Sequence, residues 1–99
     1  MKKIRIFIAG HTGLVGSALY KYLKKKNFSL ITATRSKLDL TNPLKVENFI
    51  KNKRPNVVVN CAGRVGGIRA NYIYPTEFLF ENLKIQMNLV NSCFKNKIK

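Results

Sequence analysis

Apolar and polar residues alternate at the start of the chain, and the period of this pattern changes after the first ten residues. Ile4, Ile6 and Ile8 occupy every second position, which is typical of a β-strand. Between residues 14 and 23 the apolar residues instead recur every three to four positions, as they do on the buried face of a helix. The chain is therefore predicted to begin with a strand, a short turn and a helix.

Periodicity predicts that strands and helices go on alternating along the chain. Residues 29–34 and 56–62 are predicted strands, and the second is apolar almost throughout, as in parallel strands that are buried on both faces. Residues 38–40 are predicted to form a very short strand between these two. Helices are predicted to begin at Pro43 and at Pro75, because proline suits the first helical position.

Strands that are joined by helices run parallel, with right-handed connections. The order β-α-β-β-α-β-α therefore predicts an α/β fold, a Rossmann-type doubly wound parallel sheet with strand order 3-2-1-4. This order corresponds to the N-terminal half of such a sheet. We expect residues 1–99 to form one partial, truncated domain.

Three glycines lie where the first strand meets the first helix. Gly10 allows a tight turn, Gly13 lets the backbone approach a ligand closely, and Gly16 leaves room for the helix to pack against the sheet. The N–H groups at the start of this helix would receive negative charge. A glycine triplet alone is a weak signal, but its position between a strand and a helix favours a dinucleotide site.

The residue that follows the second strand distinguishes the two nicotinamide dinucleotides. An acidic residue there would bind the ribose 2′-OH of NAD, whereas an arginine accommodates the 2′-phosphate of NADP. This chain has Arg35 at that position, and Asp39 lies later, in the predicted third strand. The sequence therefore predicts NADP as the cofactor.

Composition leaves other function classes open. The chain has 19 Lys and Arg residues against 4 Asp and Glu, a net charge of +15. The longest basic run, residues 24–26, lies at the end of a predicted helix, and there is no nucleic-acid-binding motif, so we expect no specific nucleic-acid partner. A non-catalytic dinucleotide-binding module and, less favoured, a basic nucleic-acid-binding protein remain alternatives.

Two further features concern the compartment of the protein. The chain has no apolar run of about 20 residues, so we expect no membrane association. Cys61 and Cys93 lack metal-site spacing and no export signal precedes them, which predicts reduced core thiols, no metal and a cytoplasmic location.

Two stretches resemble a known family. The spacing G-x-x-G-x-x-G in IFIAGHTGLVGSAL is similar to that of the extended short-chain dehydrogenase/reductases. The stretch RVGGIRANYIYPTEFLFENLKIQMNLV, residues 64–90, resembles more specifically the GDP-L-fucose synthase family, and the resemblance covers essentially the whole chain. It implies an NADP-binding domain of the epimerase/dehydratase type.

The resemblance also implies an enzyme. Members of this family epimerise C3 and C5 of GDP-4-keto-6-deoxymannose and then reduce C4 with NADPH. The implied cofactor-binding residues are Gly10, His11, Thr12, Gly13, Leu14, Val15, Gly16, Arg35, Asp39, Leu40, Ala62, Gly63 and Asn82.

No catalytic residue is expected within this chain, because the family's catalytic serine, tyrosine–lysine pair, cysteine and histidine lie downstream. We therefore expect the chain alone to be inactive, as a truncation or a split-gene product, with the GDP-sugar bound only by a full-length, homodimeric enzyme.

Overall fold

One parallel sheet with helices on both faces forms the part of the chain that the computed structural model describes, residues 3–62 and 75–98. Its strands are β1 (Ile4–Ala9), β2 (Phe28–Ile31) and β3 (Val57–Asn60), in the order β2-β1-β3. In the register, Ile4 of β1 is paired with Phe28 of β2, and Ile6 with Val57 of β3. The predicted parallel α/β sheet is confirmed.

The helices are α1 (Leu14–Lys24), α2 (Pro43–Lys53) and α3 (Pro75–Lys95). The connection from β1 to β2 leads toward one edge of the sheet, and the connection from β2 to β3 leads back past β1 toward the other edge. Because both connections are right-handed, α1 and α2 lie on opposite faces of the sheet. The third helix packs against α2, so the two form one layer.

The core lies between the sheet and the layer of α2 and α3. Side chains alternate along a strand, so Phe7 and Ala9 of β1 point to one face of the sheet, and Ile6 and Ile8 point to the other. The buried residues that cluster on the first face are Phe7, Ala9, Leu38, Val46, Ile50, Ile85 and Leu89. This cluster holds α2 and α3 in fixed positions above the carboxyl end of β1.

The predicted strand at residues 38–40 is wrong, because these residues lie in and between turns. The other three strands of the predicted order 3-2-1-4 are confirmed. The Leu38 N–H donates to the carbonyl of Thr34 at 2.9 Å, and the Asn42 N–H donates to that of Asp39 at 3.0 Å. These local hydrogen bonds take backbone groups that a neighbouring strand would need. Leu38 is nevertheless buried, as its apolar character predicts.

At the amino ends of the strands, side chains connect the sheet to the ends of α2 and α3. The Arg5 N–H donates to Asn56 Oδ1 at 2.8 Å, and Arg5 Nε donates to the Arg54 carbonyl at 2.8 Å. Arg54 in turn donates from Nη1 to the Asn96 carbonyl at 3.4 Å. The amino ends of the strands are therefore joined to the helix ends by hydrogen bonds, whereas the carboxyl ends open into a cavity.

Candidate functional site

A cavity of about 730 Å³ lies at the carboxyl edge of the sheet, where each strand gives way to a loop. It is bounded by the turn after β1, the segment after β2, the end of β3 and the first half of α3. The lining residues are Gly10, His11, Thr12, Gly13, Ala33, Arg35, Leu38, Asp39, Leu40, Thr41, Cys61, Ala62, Phe80, Glu81, Lys84 and Ile85.

Gly10 forms the tight turn that the sequence predicts. Its φ angle is +82°, a left-handed conformation that favours glycine. A Cβ at this position would lie 2.6 Å from the backbone N and Cα of Ala62. The first turn therefore lies directly against the chain that leaves β3, and only a residue without a side chain fits between them.

Gly16 removes a side chain at an even closer contact. A Cβ on Gly16 would lie 2.0 Å from the carbonyl oxygen of Gly10 and 3.0 Å from Cα of His11. Gly13 is different, because its Cβ would meet only the Gly10 oxygen at 3.6 Å, an ordinary contact. Gly10 and Gly16 are thus required for close packing, whereas Gly13, which lines the cavity, has room for a side chain.

The amino end of α1 is left without a side-chain cap, in contrast to that of α2. Asn42 Oδ1 caps α2 by accepting from the N–H groups of Leu44 and Lys45 at 3.1 and 3.2 Å. The residue that precedes α1 is Gly13, which makes no side-chain cap hydrogen bond. The first-turn N–H groups of a helix have no partner within it, and those of α1 have none elsewhere among residues 3–62 and 75–98. The helix therefore presents these donors and a positive dipole end beside the cavity.

His11 contributes a second unsatisfied group to this turn. Its Nδ1 is buried and has no hydrogen-bond partner in the described part of the chain. The ring lies 6.4 Å from that of Tyr20, centroid to centroid. Because buried polar atoms are nearly always hydrogen-bonded, this nitrogen is a polar group that the described residues leave unpaired in the turn.

The segment after β2 brings a cation and a carboxylate to the rim of the cavity. Arg35 is exposed and lines the rim. Asp39 Oδ1 accepts from both the N–H and the hydroxyl of Thr41, at 3.0 and 2.6 Å. These two hydrogen bonds hold the pKa of Asp39 below its usual range, aided by the charges of Lys45 and Arg35. Asp39 therefore stays ionised and shapes the turn.

Eight of the predicted cofactor-binding residues line the cavity: Gly10, His11, Thr12, Gly13, Arg35, Asp39, Leu40 and Ala62. Leu14, Val15 and Gly16 lie at the start of α1, and Asn82 is half-buried on α3; none of these four is in the lining. Gly63 lies outside the described residues.

From α3 the prediction included only Asn82 and missed the four residues of this helix that line the cavity. These four residues are Phe80, Glu81, Lys84 and Ile85. They share one helix face because Phe80 and Lys84 are four positions apart, as are Glu81 and Ile85. Ile85 also belongs to the buried core, which sets the rotation of the helix. The helical periodicity of the sequence indicates which of these side chains share a face. It does not indicate that this face lines the cavity, because that depends on how the helix packs in the fold.

The cysteines are less buried than predicted. Both are free thiols of intermediate burial, and Cys61 lines the cavity just after β3. Burial raises the pKa of the Cys93 thiol on α3. Cys61 is therefore a group of the cavity wall rather than a core residue.

A tyrosine and a lysine, the residue types of the catalytic pair implied by the resemblance, occur four residues apart twice. Tyr20, Lys24 and Tyr22 lie on α1, and Lys26 lies just beyond its end. Lys24 Nζ lies 5.8 Å from the ring centroid of Tyr20, and Lys26 Nζ lies 5.2 Å from that of Tyr22. None of the four side chains lines the cavity. These pairs are cation–π contacts on the helix surface.

The family model described as NAD dependent epimerase/dehydratase family matches residues 6–99 of the chain. The chain belongs to this family. Its sheet, its glycine turn and the position of its cavity are in keeping with that assignment.

Named relatives agree with the predicted resemblance, which is confirmed. The chain is 42% identical over 99 residues to GDP-L-fucose synthase 1 of Arabidopsis thaliana, covering 99% of this chain and 31% of that protein. It is 37% identical to GDP-L-fucose synthase of Escherichia coli K12, with coverages of 99% and 31%.

A solved structure is similar over the whole chain. The GDP-mannoheptose C4 reductase of Campylobacter jejuni with NADP bound superimposes with a TM-score of 0.90 at 39% identity, covering 100% of this chain and 32% of that one. The chain thus spans about a third of the length of the relatives that it matches.

No described helix is long and apolar enough to cross a membrane. Within the same residues, no three His, Cys, Asp or Glu side chains are grouped so that they could hold a metal ion.

Proposed function

We propose that this chain is the N-terminal, cofactor-binding part of an NADP-dependent GDP-sugar epimerase/reductase of the GDP-L-fucose synthase type. The complete enzyme would convert GDP-4-keto-6-deoxymannose to GDP-L-fucose by epimerisation at C3 and C5 and reduction at C4. Relatives of that name at 37% and 42% identity support the substrate class. Residues 1–99 form part of the NADP-binding domain.

The observation that carries the proposal is the uncapped start of α1 beside the cavity. Gly10 and Gly16 bring the β1 turn, the helix start and the end of β3 together with no intervening side chain. A pyrophosphate placed there would accept hydrogen bonds from the N–H groups of the first turn and be stabilised by the helix dipole. Leu14 and Val15 therefore take part through their backbone, which explains why their side chains are free to be exposed.

Arg35 supports NADP over NAD. It is an exposed guanidinium at the rim, and the nearby carboxylate of Asp39 is hydrogen-bonded to Thr41. Asp39 Oδ1 is therefore used within the turn, and the side chain at the position that distinguishes the two dinucleotides is the guanidinium of Arg35. A guanidinium binds a phosphate through two parallel hydrogen bonds, which suits a 2′-phosphate.

The remaining contacts of the cofactor follow from the lining. Leu40 and Ala33 offer apolar contacts to an adenine, and Ala62 lies beneath the turn. We retain Gly63 and Asn82 as proposed contacts. When bound, NADPH supplies the hydride that reduces the keto group.

The chain's own residues bind and orient this cofactor. The proton donor and the sugar pocket belong to the downstream part of the family's sequence, so this chain alone should bind NADPH without turnover.

Titration of the chain with NADPH and NADH tests the proposal. We expect NADPH to bind more tightly, and Arg35→Asp to weaken NADPH about 10- to 100-fold while NADH changes little, since one charge-assisted contact is lost. Lys37→Asp is the matched control, because Lys37 is exposed in the same turn but does not line the cavity.

Equal weakening of both cofactors by both variants would show that Arg35 acts only through the general positive field. Failure of the unmodified chain to bind either dinucleotide would contradict the cofactor-binding role itself.

Assembly and location complete the proposal. The described part of α3 exposes an apolar stripe, Phe80, Leu83, Met87 and Val90, which supports homodimerisation of the complete enzyme. The two free thiols support a cytoplasmic location.

A further inference from the structure

Most cations of the described chain lie at the end of the molecule opposite the cavity. In a parallel sheet, the amino ends of the strands and the carboxyl ends of the connecting helices share one edge. The lysines at this edge, here called the basic end face, are those at 24–26 at the end of α1, Lys51 and Lys53 of α2, and Lys95 and Lys97 at the end of α3. All of them are exposed.

The three acidic side chains that the structure describes do little to neutralise this face. Asp39 and Glu81 line the cavity at the other end of the molecule. Glu47 forms an ion pair with Lys95, with 3.9 Å between Nζ and Oε2. The carboxyl ends of three helices together contribute about one and a half negative charges, so the face keeps a large excess of positive charge.

The face extends across all three layers of the fold. The α1 lysines lie on one side of the sheet, and those of α2 and α3 lie on the other. With helices packed about 10 Å from each side of the sheet, the cations span roughly 20 Å, enough for several consecutive phosphates. The hydrogen bonds from Arg5 and Arg54 fix the sheet edge relative to the helix ends.

Two aromatic side chains lie among these cations. Tyr22 is 61% exposed and Phe94 is 82% exposed, and Lys26 Nζ lies 5.2 Å from the centroid of the Tyr22 ring. Exposed rings beside cations are the combination that binds single strands, because bases stack on the rings while the cations bind phosphates. A membrane surface fits less well, since the helices meet this face end-on and no apolar helix side lies flat along it.

We propose that the basic end face binds single-stranded nucleic acid without sequence specificity, and that it does so independently of the cavity. The proposal does not depend on the cofactor-binding function. It assigns to the opposite end of the chain a second, electrostatic role that the glycine turn and the cavity do not explain.

Fluorescence anisotropy with a labelled single-stranded DNA of mixed sequence, about 30 nucleotides long, tests this between about 50 and 200 mM salt. Two variants of the basic end face each remove two charges. Lys25→Gln/Lys26→Gln removes them at the end of α1, on one side of the sheet, and Lys51→Gln/Lys53→Gln removes them from α2, on the other side. The matched control, Lys37→Gln/Lys45→Gln, removes two exposed charges near the cavity end. All six lysines are exposed, so circular dichroism should show the same helix content in every variant.

Each lysine that contacts a phosphate contributes about 0.7 to the slope of log affinity against log salt. We therefore expect both end-face variants to lower the slope by about 1.4, and the control to leave it unchanged. Saturating NADPH should not displace the DNA.

Four results would overturn the proposal. The first is an equal decrease of the salt slope in the control variant, which would indicate that binding depends only on the net charge of the chain. The others are displacement of the DNA by NADPH, no binding at about 50 mM salt, and tighter binding to vesicles that contain phosphatidylserine than to the DNA.

Discussion

Substituting Gly16 by alanine tests how the glycine turn is built. The added methyl group would lie 2.0 Å from the Gly10 carbonyl oxygen, 2.8 Å from its carbonyl carbon and 3.0 Å from Cα of His11. All three neighbours are backbone atoms, so no side chain can rotate away to make room. The first contact is short by about 1.5 Å, and the helix must therefore move away from the turn.

The expected cost follows from this displacement. Overpacking of a tight contact costs typically about 1–3 kcal/mol, and the rigid surroundings of Gly16 favour the upper part of this range. For a domain of this size, each kcal/mol lowers Tm by roughly 4–8 °C. Thermal unfolding followed by circular dichroism should therefore show Tm lowered by roughly 10–20 °C, and NADPH affinity should fall because the first-turn N–H groups are displaced.

Gly13→Ala is the matched control, because its Cβ would have only the 3.6 Å contact with the Gly10 oxygen and its φ of −75° suits alanine. We expect its free energy of unfolding to change by less than about 1 kcal/mol, with weaker NADPH binding because the methyl group occupies space beside the cavity. The reasoning would be refuted if Gly16→Ala unfolded at the same temperature as the unmodified chain, or if Gly13→Ala were the more destabilised of the two.

Three further predictions concern single groups. Asn42→Ala should lower the free energy of unfolding by about 0.5–2 kcal/mol in urea titrations, because α2 loses its cap; an unchanged midpoint would contradict the capping role. Bound NADPH should slow alkylation of Cys61, which lines the cavity, and leave Cys93 slow throughout, because burial raises the pKa of that thiol; mass spectrometry of iodoacetamide-treated protein measures both, and an unprotected Cys61 would argue against the proposed site. Because the folded-state pKa of Asp39 is lowered, its contribution to stability is present above its ordinary pKa and is lost as the pH falls through the lowered value. Thr41→Val should raise this pKa toward its usual range in an NMR titration of the carboxyl group, and an unmoved value would show that other groups set it.

Local sequence determined the elements that depend on nearest neighbours. The alternation of Ile4, Ile6 and Ile8 predicted β1, and proline with its preceding asparagine predicted the start of α2. The roles of Gly10 and Gly16 were predicted from their spacing and from their position between a strand and a helix, because a turn there has few conformations and requires glycine at fixed positions.

The tertiary structure decided everything that depends on contacts between distant segments. Residues 38–40 have the apolar pattern of a strand, but local turns take their hydrogen bonds and the core takes Leu38, so no strand forms there. The cavity wall of Phe80, Glu81 and Lys84 was not predicted, because the face that α3 turns to the sheet is set by packing at Ile85 and Leu89.

The distribution of charge also depends partly on the sequence and partly on the tertiary structure. The excess of lysine is visible in the sequence, but its separation from the cavity is not. A parallel sheet with helical connections places every strand's carboxyl end on one side and every helix's carboxyl end on the other. Lysines at helix ends that are far apart in the sequence are thereby collected on one face, while the glycine turn and Arg35 meet at the opposite one.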